Sequence, residues 1–164
     1  IVRYVTSQDF TMKRVLTDTS AKIFKQYRVE IPIPAMQKYL SQGYITQFDK
    51  ATRRGYNYDF SEILEECNQN VAKEAIDYFC ELFNYFLEYR YLILTGGTGE
   101  AWFRYFKEAL AGIPNLTVLP GNKGTEGFFQ DSDGNGSPLP FFFSNVRGYY
   151  FSLQLRLMRD KNLV

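Results

Sequence analysis

Two short apolar runs, YLILT at 91–95 and LTVL at 116–119, flank a glycine cluster and a stretch of helical periodicity. No other feature constrains the fold of this chain as much. The first run stops at Gly96-Gly97-Thr98-Gly99. Ala101, Phe103, Phe106 and Leu110, with Trp102 and Tyr105, then recur at helical spacing as far as Gly112. Short apolar runs bounded by glycine read as strands, and a strand–helix–strand succession pairs its strands in parallel through a right-handed crossover. An α/β class is therefore expected. In open α/β sheets ligands lie beyond the carboxyl ends of the strands, which is where Gly96 and Gly97 fall. Without a Cβ the backbone there can touch a flat ring or a ribose, and the N–H groups of a helix start face outward. A purely structural tight turn is the other reading of the same residues.

Ahead of this unit, Phe60, Ile63, Leu64, Cys67, Val71, Ala75, Phe79, Leu82, Phe83 and Phe86 recur at steps of three and four. They predict one long helix, capped by Asp59 or Ser61 and running to about Glu88. Its aromatic flank of Tyr78, Tyr85 and Tyr89 suits either subunit contacts or half-buried packing. Behind the unit, residues 120–140 are dense in Gly, Pro, Asn and Asp and read as a loop. A last helix is expected from Asn145 to Arg159, capped by Ser144, with Val146, Tyr149, Leu153, Leu155 and Met158 as its apolar side.

The first 58 residues carry less signal. The opening IVRYVTSQDFTMKRVLTD has no initiator methionine and is rich in β-branched residues, so it reads as strand from the interior of a longer chain. A short helix is expected over residues 19–30 with Thr19 or Ser20 as cap, broken by Pro32 and Pro34. A second is expected from Ala35 to Gln42. Residues 44–59, with the basic pair Arg53 and Arg54, read as an irregular connection.

Composition removes several chemistries. The chain of 164 residues has no histidine, which excludes Ser-His-Asp and Cys-His catalysis and His-ligated zinc. Its net charge of +1 offers no global electrostatic case for nucleic acid or a membrane surface. No apolar run approaches the ~18 residues of a membrane helix. Cys67 and Cys80 fall in one helical pattern, ~20 Å apart at ~1.5 Å per residue, beyond disulfide reach. They read as reduced core residues of a cytoplasmic protein. The dinucleotide fingerprint fails because Trp102 stands where its third glycine belongs, and no phosphate loop ending in Gly-Lys-Ser/Thr is present. Asp131-Ser132-Asp133-Gly134-Asn135-Gly136 copies the opening of a calcium loop, but Phe142 occupies the twelfth position, which requires a bidentate Glu.

One pattern fits the whole second part of the chain. LILTGGTGEAW, the long helix before it and FFFSNVRGYYF about 40 residues later resemble the second half of actin-like ATPases. The resemblance is greatest to plasmid-segregation proteins of the ParM type. It covers residues 59–159 and only loosely the first 58. It implies an RNase H-like, actin-like lobe with a small sheet, a long central helix and a C-terminal β-α-β-α unit. Residues 1–58 would then hold partial first strands and a variable small subdomain, and residues 59–164 the nucleotide-clasping lobe. In that superfamily a Gly-Gly-Thr turn after a late strand packs on the base and ribose of the nucleotide. Gly96, Gly97 and Thr98 match it, with Gly99 and Glu100 beginning the helix that flanks the base. The resemblance further implies ATP or GTP with Mg2+, self-association into filaments, and a DNA-binding adaptor rather than direct DNA contact. A kinase- or chaperone-like lobe that does not polymerise is the alternative within the superfamily, and a binding module without nucleotide lies outside it. Nothing in residues 1–95 matches the family's two phosphate-binding hairpins. This chain alone is therefore expected to lack ATPase activity, with no catalytic or metal-binding residue of its own.

Overall fold

The computed structural model describes residues 9–124, 129–130, 136–138 and 140–160. The class is mixed α/β, with each sheet built from a pair of strands. The chain divides into two compact units between Asp77 and Tyr78.

The first unit opens with a helix where a strand is expected. Helix α1 spans Met12–Tyr27, and Thr11 caps it by accepting a hydrogen bond from the Arg14 amide. The cap removes one of the donors that a helix start leaves without a partner. Val15, Leu16, Thr19 and Ile23 follow at three- and four-residue steps and are buried. Thr19 is thus no cap. Its hydroxyl donates to the Val15 carbonyl at 2.7 Å from inside the helix. Of the strand expected over residues 1–18, residues 1–8 lie outside the described residues, and the part from Met12 on is helix. Helix α2 spans Ile33–Lys38, four residues shorter at its end than expected, with Pro32 at its cap and Pro34 in its first turn. A proline tolerates that place because the donor it lacks is one the helix cannot use there.

Residues 44–59 are a β-hairpin rather than an irregular connection. Strand β1 (Tyr44–Asp49) pairs antiparallel with β2 (Arg54–Asp59), from Tyr44 opposite Asp59 to Asp49 opposite Arg54. The turn is organised by Asp49, which accepts from the Ala51 amide and the Thr52 hydroxyl, each at 2.8 Å. Those two bonds, the hydroxyl's first, hold its carboxyl below the ordinary range. Arg53 closes the turn in the left-handed region at φ 53°. Leu16, Ile23, Ile31, Met36, Ile45 and Phe60 form one buried cluster at the heart of this unit.

Helix α3 spans Ser61–Leu82. Asp59 accepts from the Ser61 amide at 2.9 Å, and the Ser61 hydroxyl and amide together lower its carboxyl. Cys67, Val71, Ala72, Ala75 and Ile76 are its buried positions in the first unit. Neither cysteine is in a disulfide, and both are buried. The ion pairs Arg14–Glu74 and Lys22–Glu66, each 2.7 Å, tie α1 to α3. Both are solvent-exposed, and pairs of that kind add little to stability.

The long helix ends earlier than its periodicity suggests. Asn84, Tyr85 and Phe86 follow in succession at φ 48°, 53° and 57°. No right-handed helix passes through three such residues, so Phe83 and Phe86 belong to a tight reversal instead. Phe79 and Phe83 are half-buried rather than fully enclosed. They stack on each other at 6.2 Å, and Phe79 meets Phe106 at 6.4 Å between ring centroids.

Strand β3 (Tyr91–Leu94) pairs in parallel with β4 (Thr117–Pro120), from Tyr91 beside Thr117 to Leu94 beside Pro120. Helix α4 (Gly96–Ala109) makes the crossover between them. The strand–helix–strand unit is present as the sequence predicts. Strand β3 is not enclosed on both faces, since Tyr91 and Ile93 are 63% and 58% exposed. Trp102, Phe106 and Leu110 are buried, as is Phe141 in the short 3-10 turn at Phe141–Phe143. Strands β5 (Phe129–Gln130) and β6 (Gly136–Ser137) interrupt the expected loop. The calcium-like sequence at 131–135 lies outside the described residues.

Helix α5 spans Ser144–Asp160, and Ser144 is its first residue rather than a cap. Much of its predicted apolar side is exposed. Val146, Tyr149 and Leu153 are 65%, 77% and 55% exposed. No helix among the described residues is long and apolar enough to cross a membrane.

Candidate functional site

The parallel register places the ends of β3 and β4 side by side, and each strand runs directly into glycine. After Leu94 the chain passes through extended Thr95 to Gly96 at φ 75°. That left-handed value favours glycine, because a Cβ there crowds the following carbonyl. After Pro120, the partner of Leu94, comes Gly121. Two glycine turns thus share the carboxyl end of the sheet, where α/β folds place ligands.

The turn at Gly96 is open. A Cβ added at Gly96 or Gly97 would meet nothing within 4 Å. Helix α4 starts there without a side-chain cap and without an acidic residue in its first turn. The first amides of such a helix carry the positive end of its dipole and offer hydrogen bonds to an acceptor from outside. Gly99 has a different place. Its missing Cβ would lie 3.2 Å from the Leu94 carbonyl carbon, so this glycine lets α4 close onto the end of β3. Thr98 is half-buried and Glu100 exposed. Among the five residues singled out from the sequence, Gly96 and Gly97 form the open surface, while Gly99 serves helix–strand contact.

The turn at Gly121 is closed. A Cβ there would lie 2.6 Å from the Leu94 carbonyl oxygen, 2.6 Å from Ser144 Oγ and 3.1 Å from Thr95 Cγ2. The start of α5, the end of β3 and the residue before Gly96 therefore converge on one bare backbone position. Ser144 is 9% exposed, and its hydroxyl is buried with no hydrogen-bond partner. One turn further along α5, the Arg147 guanidinium donates to the carbonyls of Lys123 and Gly124, each at 3.2 Å. These two bonds fasten the turn after β4 to the helix.

No family model, curated protein or solved structure matches the chain. The site is defined by its geometry.

Sequence reasoning overlooked Gly121 and assigned Ser144 only a capping role. A signal was present, because PGNKG follows LTVL as directly as GGTG follows LILT. What could not be read was that the two turns meet. A groove of about 460 Å³ lies at the opposite, amino-terminal end of the same strands, beside Glu88, Arg90, Asn115 and Thr117. All four residues are exposed, and the groove is open surface. Among the described residues, no group of three or more Cys, Asp or Glu is placed to hold a metal ion.

Proposed function

We propose that this chain is the nucleotide-binding lobe of an actin-like protein that forms filaments and segregates plasmid DNA through a DNA-binding adaptor. The observation that carries the nucleotide part is the bare Gly96–Gly97 surface at the carboxyl end of a parallel strand pair, opening an uncapped helix. A purine and its ribose need a flat surface free of Cβ atoms, and a phosphate needs outward amides. The residues present suit the purine nucleoside half of ATP or GTP. The buried hydroxyl of Ser144 adds an orphaned donor at the same end of the sheet. Mg2+ would arrive with the nucleotide. Filament growth, the adaptor and plasmid partition are supported by the resemblance of residues 59–159 alone.

Replacing Gly97 with Val tests the reading. The new side chain has room, so the fold is expected to survive while ATP binding weakens at least ~10-fold, about 1.4 kcal/mol. Isothermal titration with ATP on both proteins measures it. Unchanged affinity in a folded variant would remove the adenosine assignment. Light scattering with ATP separates the filament-forming reading from the lobe of a non-polymerising kinase or chaperone. Growth of scattering supports the first, and its absence despite nucleotide binding supports the second.

A further inference from the structure

Helix α5 turns a row of large apolar side chains toward water. Val146, Tyr150, Leu153 and Leu157 range from 49% exposed at Leu157 to 65% at Val146. They follow one another at steps of four, three and four. At ~100° per residue the four fall within roughly 60° of one another and make a single seam along the helix. Ser144, which is buried, falls on the opposite side. The seam is thus separate from the side by which α5 enters its own unit. Exposed apolar rows of this kind mark contact surfaces.

The spacing says what kind of surface covers it. Alternating steps of three and four are the a and d positions of a coiled coil, a period that matches a second helix. The steps also read the same in both directions, so the seam fits itself. A two-fold axis between Tyr150 and Leu153 lays Val146 against Leu157 of a second copy, and Tyr150 against Leu153. Each layer then pairs a larger side chain with a smaller one. A parallel pairing would set Tyr150 on Tyr150 and Val146 on Val146, in layers of unequal width. Tyr149 and Arg156, both exposed, lie along one flank of the seam. The same two-fold brings Tyr149 beside Arg156 of the second copy, a ring next to a guanidinium rather than two like charges. The seam and Tyr149 would remove on the order of 500 Å² per copy from water, so about 1,000 Å² in a pair, the lower end for a specific interface.

We propose that α5 joins two copies of this chain, paired antiparallel through the seam from Val146 to Leu157. The same residues serve both copies, so the contact closes on itself and makes pairs. It is separate from the head-to-tail contact that a filament needs, and it does not depend on the nucleotide reading.

Sedimentation equilibrium of the chain without nucleotide, from a few micromolar to several hundred micromolar, tests the proposal. A monomer–dimer equilibrium in the micromolar range is expected for an interface of this size. Leu153→Glu should weaken it at least ~10-fold, because two carboxylates would meet at the centre of the seam. Its melting temperature, taken where the parent is monomeric, should match the parent's, since Leu153 is exposed. Val146→Lys and Leu157→Glu should each weaken the pair. Mixing these two variants should restore association, because the antiparallel register sets the new cation against the new carboxylate. A chain that stays monomeric throughout overturns the proposal and leaves the seam to a different partner. A dimer that Leu153→Glu leaves intact rests on another surface, which also overturns it. So does a lower melting temperature for Leu153→Glu, which would place that side chain inside its own unit. Association that mixing fails to restore rules out the antiparallel register, and the proposal falls with it. The titration of ATP on Gly97→Val reads the nucleotide site independently of all four results.

Discussion

Glycines at this site do opposite jobs, and single substitutions separate them. Gly121 is hemmed in by a backbone carbonyl and a buried hydroxyl, each 2.6 Å from where a Cβ would stand. Neither is the loose end of a flexible side chain, so Gly121→Ala must push β3 and α5 apart. Overpacking of that kind costs ~1–3 kcal/mol, a fall of ~2–12 °C in the melting temperature for a chain of this size. Gly97→Ala is the control, since its Cβ enters empty space and alanine suits a helix better than glycine. A melt of the two variants side by side checks the contrast, and equal melting temperatures would show that the Gly121 corner is not close-packed. This difference was not legible in the sequence. GGTG and PGNKG look alike as turn signals, and only the pairing of Leu94 with Pro120 reveals which one faces inward.

At the level of elements, the sequence was most readable where a single period governs a segment. Strands β3 and β4 with α4 between them follow from two apolar runs and one amphipathic stretch, and their parallel pairing follows from the helical crossover that joins them. Competing local signals hid the rest. In α1 the β-branched opening suggests strand as far as Asp18, yet Thr11 caps a helix, and the spacing of Val15, Leu16, Thr19 and Ile23 buries them on one side. In the β1–β2 hairpin the turn chemistry of Asp49 and Thr52 was overlooked, because the flanking residues are polar and mostly exposed. The end of α3 was overrun because Phe83 and Phe86 keep helical spacing while the backbone turns left-handed. That reversal moves the energetic weight of the aromatic cluster. Phe79 is half-buried, whereas Phe106 is 3% exposed and sits against it. Phe106→Ala is therefore expected to cost ~3–5 kcal/mol, with Phe79→Ala costing less. Urea unfolding of both variants orders them, and a larger loss at Phe79 would contradict the burial described for the second unit.

Over the whole molecule, each unit carries its own buried residues: the cluster around Leu16, Met36 and Phe60 in the first, and Trp102, Phe106, Leu110 and Phe141 in the second. The candidate site belongs to the second unit entirely. It offers amides, a hydroxyl and open backbone, which suit binding. Hydrolysis of ATP also needs a metal held by carboxylates and a residue that orients the attacking water. The chain with magnesium and millimolar ATP is accordingly expected to release no phosphate above buffer. A colorimetric phosphate assay measures this, and steady turnover would overturn the actin-like reading, because the active site would then lie within these residues. The division at Asp77 and Tyr78 has a consequence of another sort, since it falls inside α3. Domains that evolution shuffles are parted by stretches of chain that tolerate a break. Here a genetic crossover at the boundary would split one helix between two parents, and each daughter would have to find a new end for it. The boundary is thus a poor place for such a crossover.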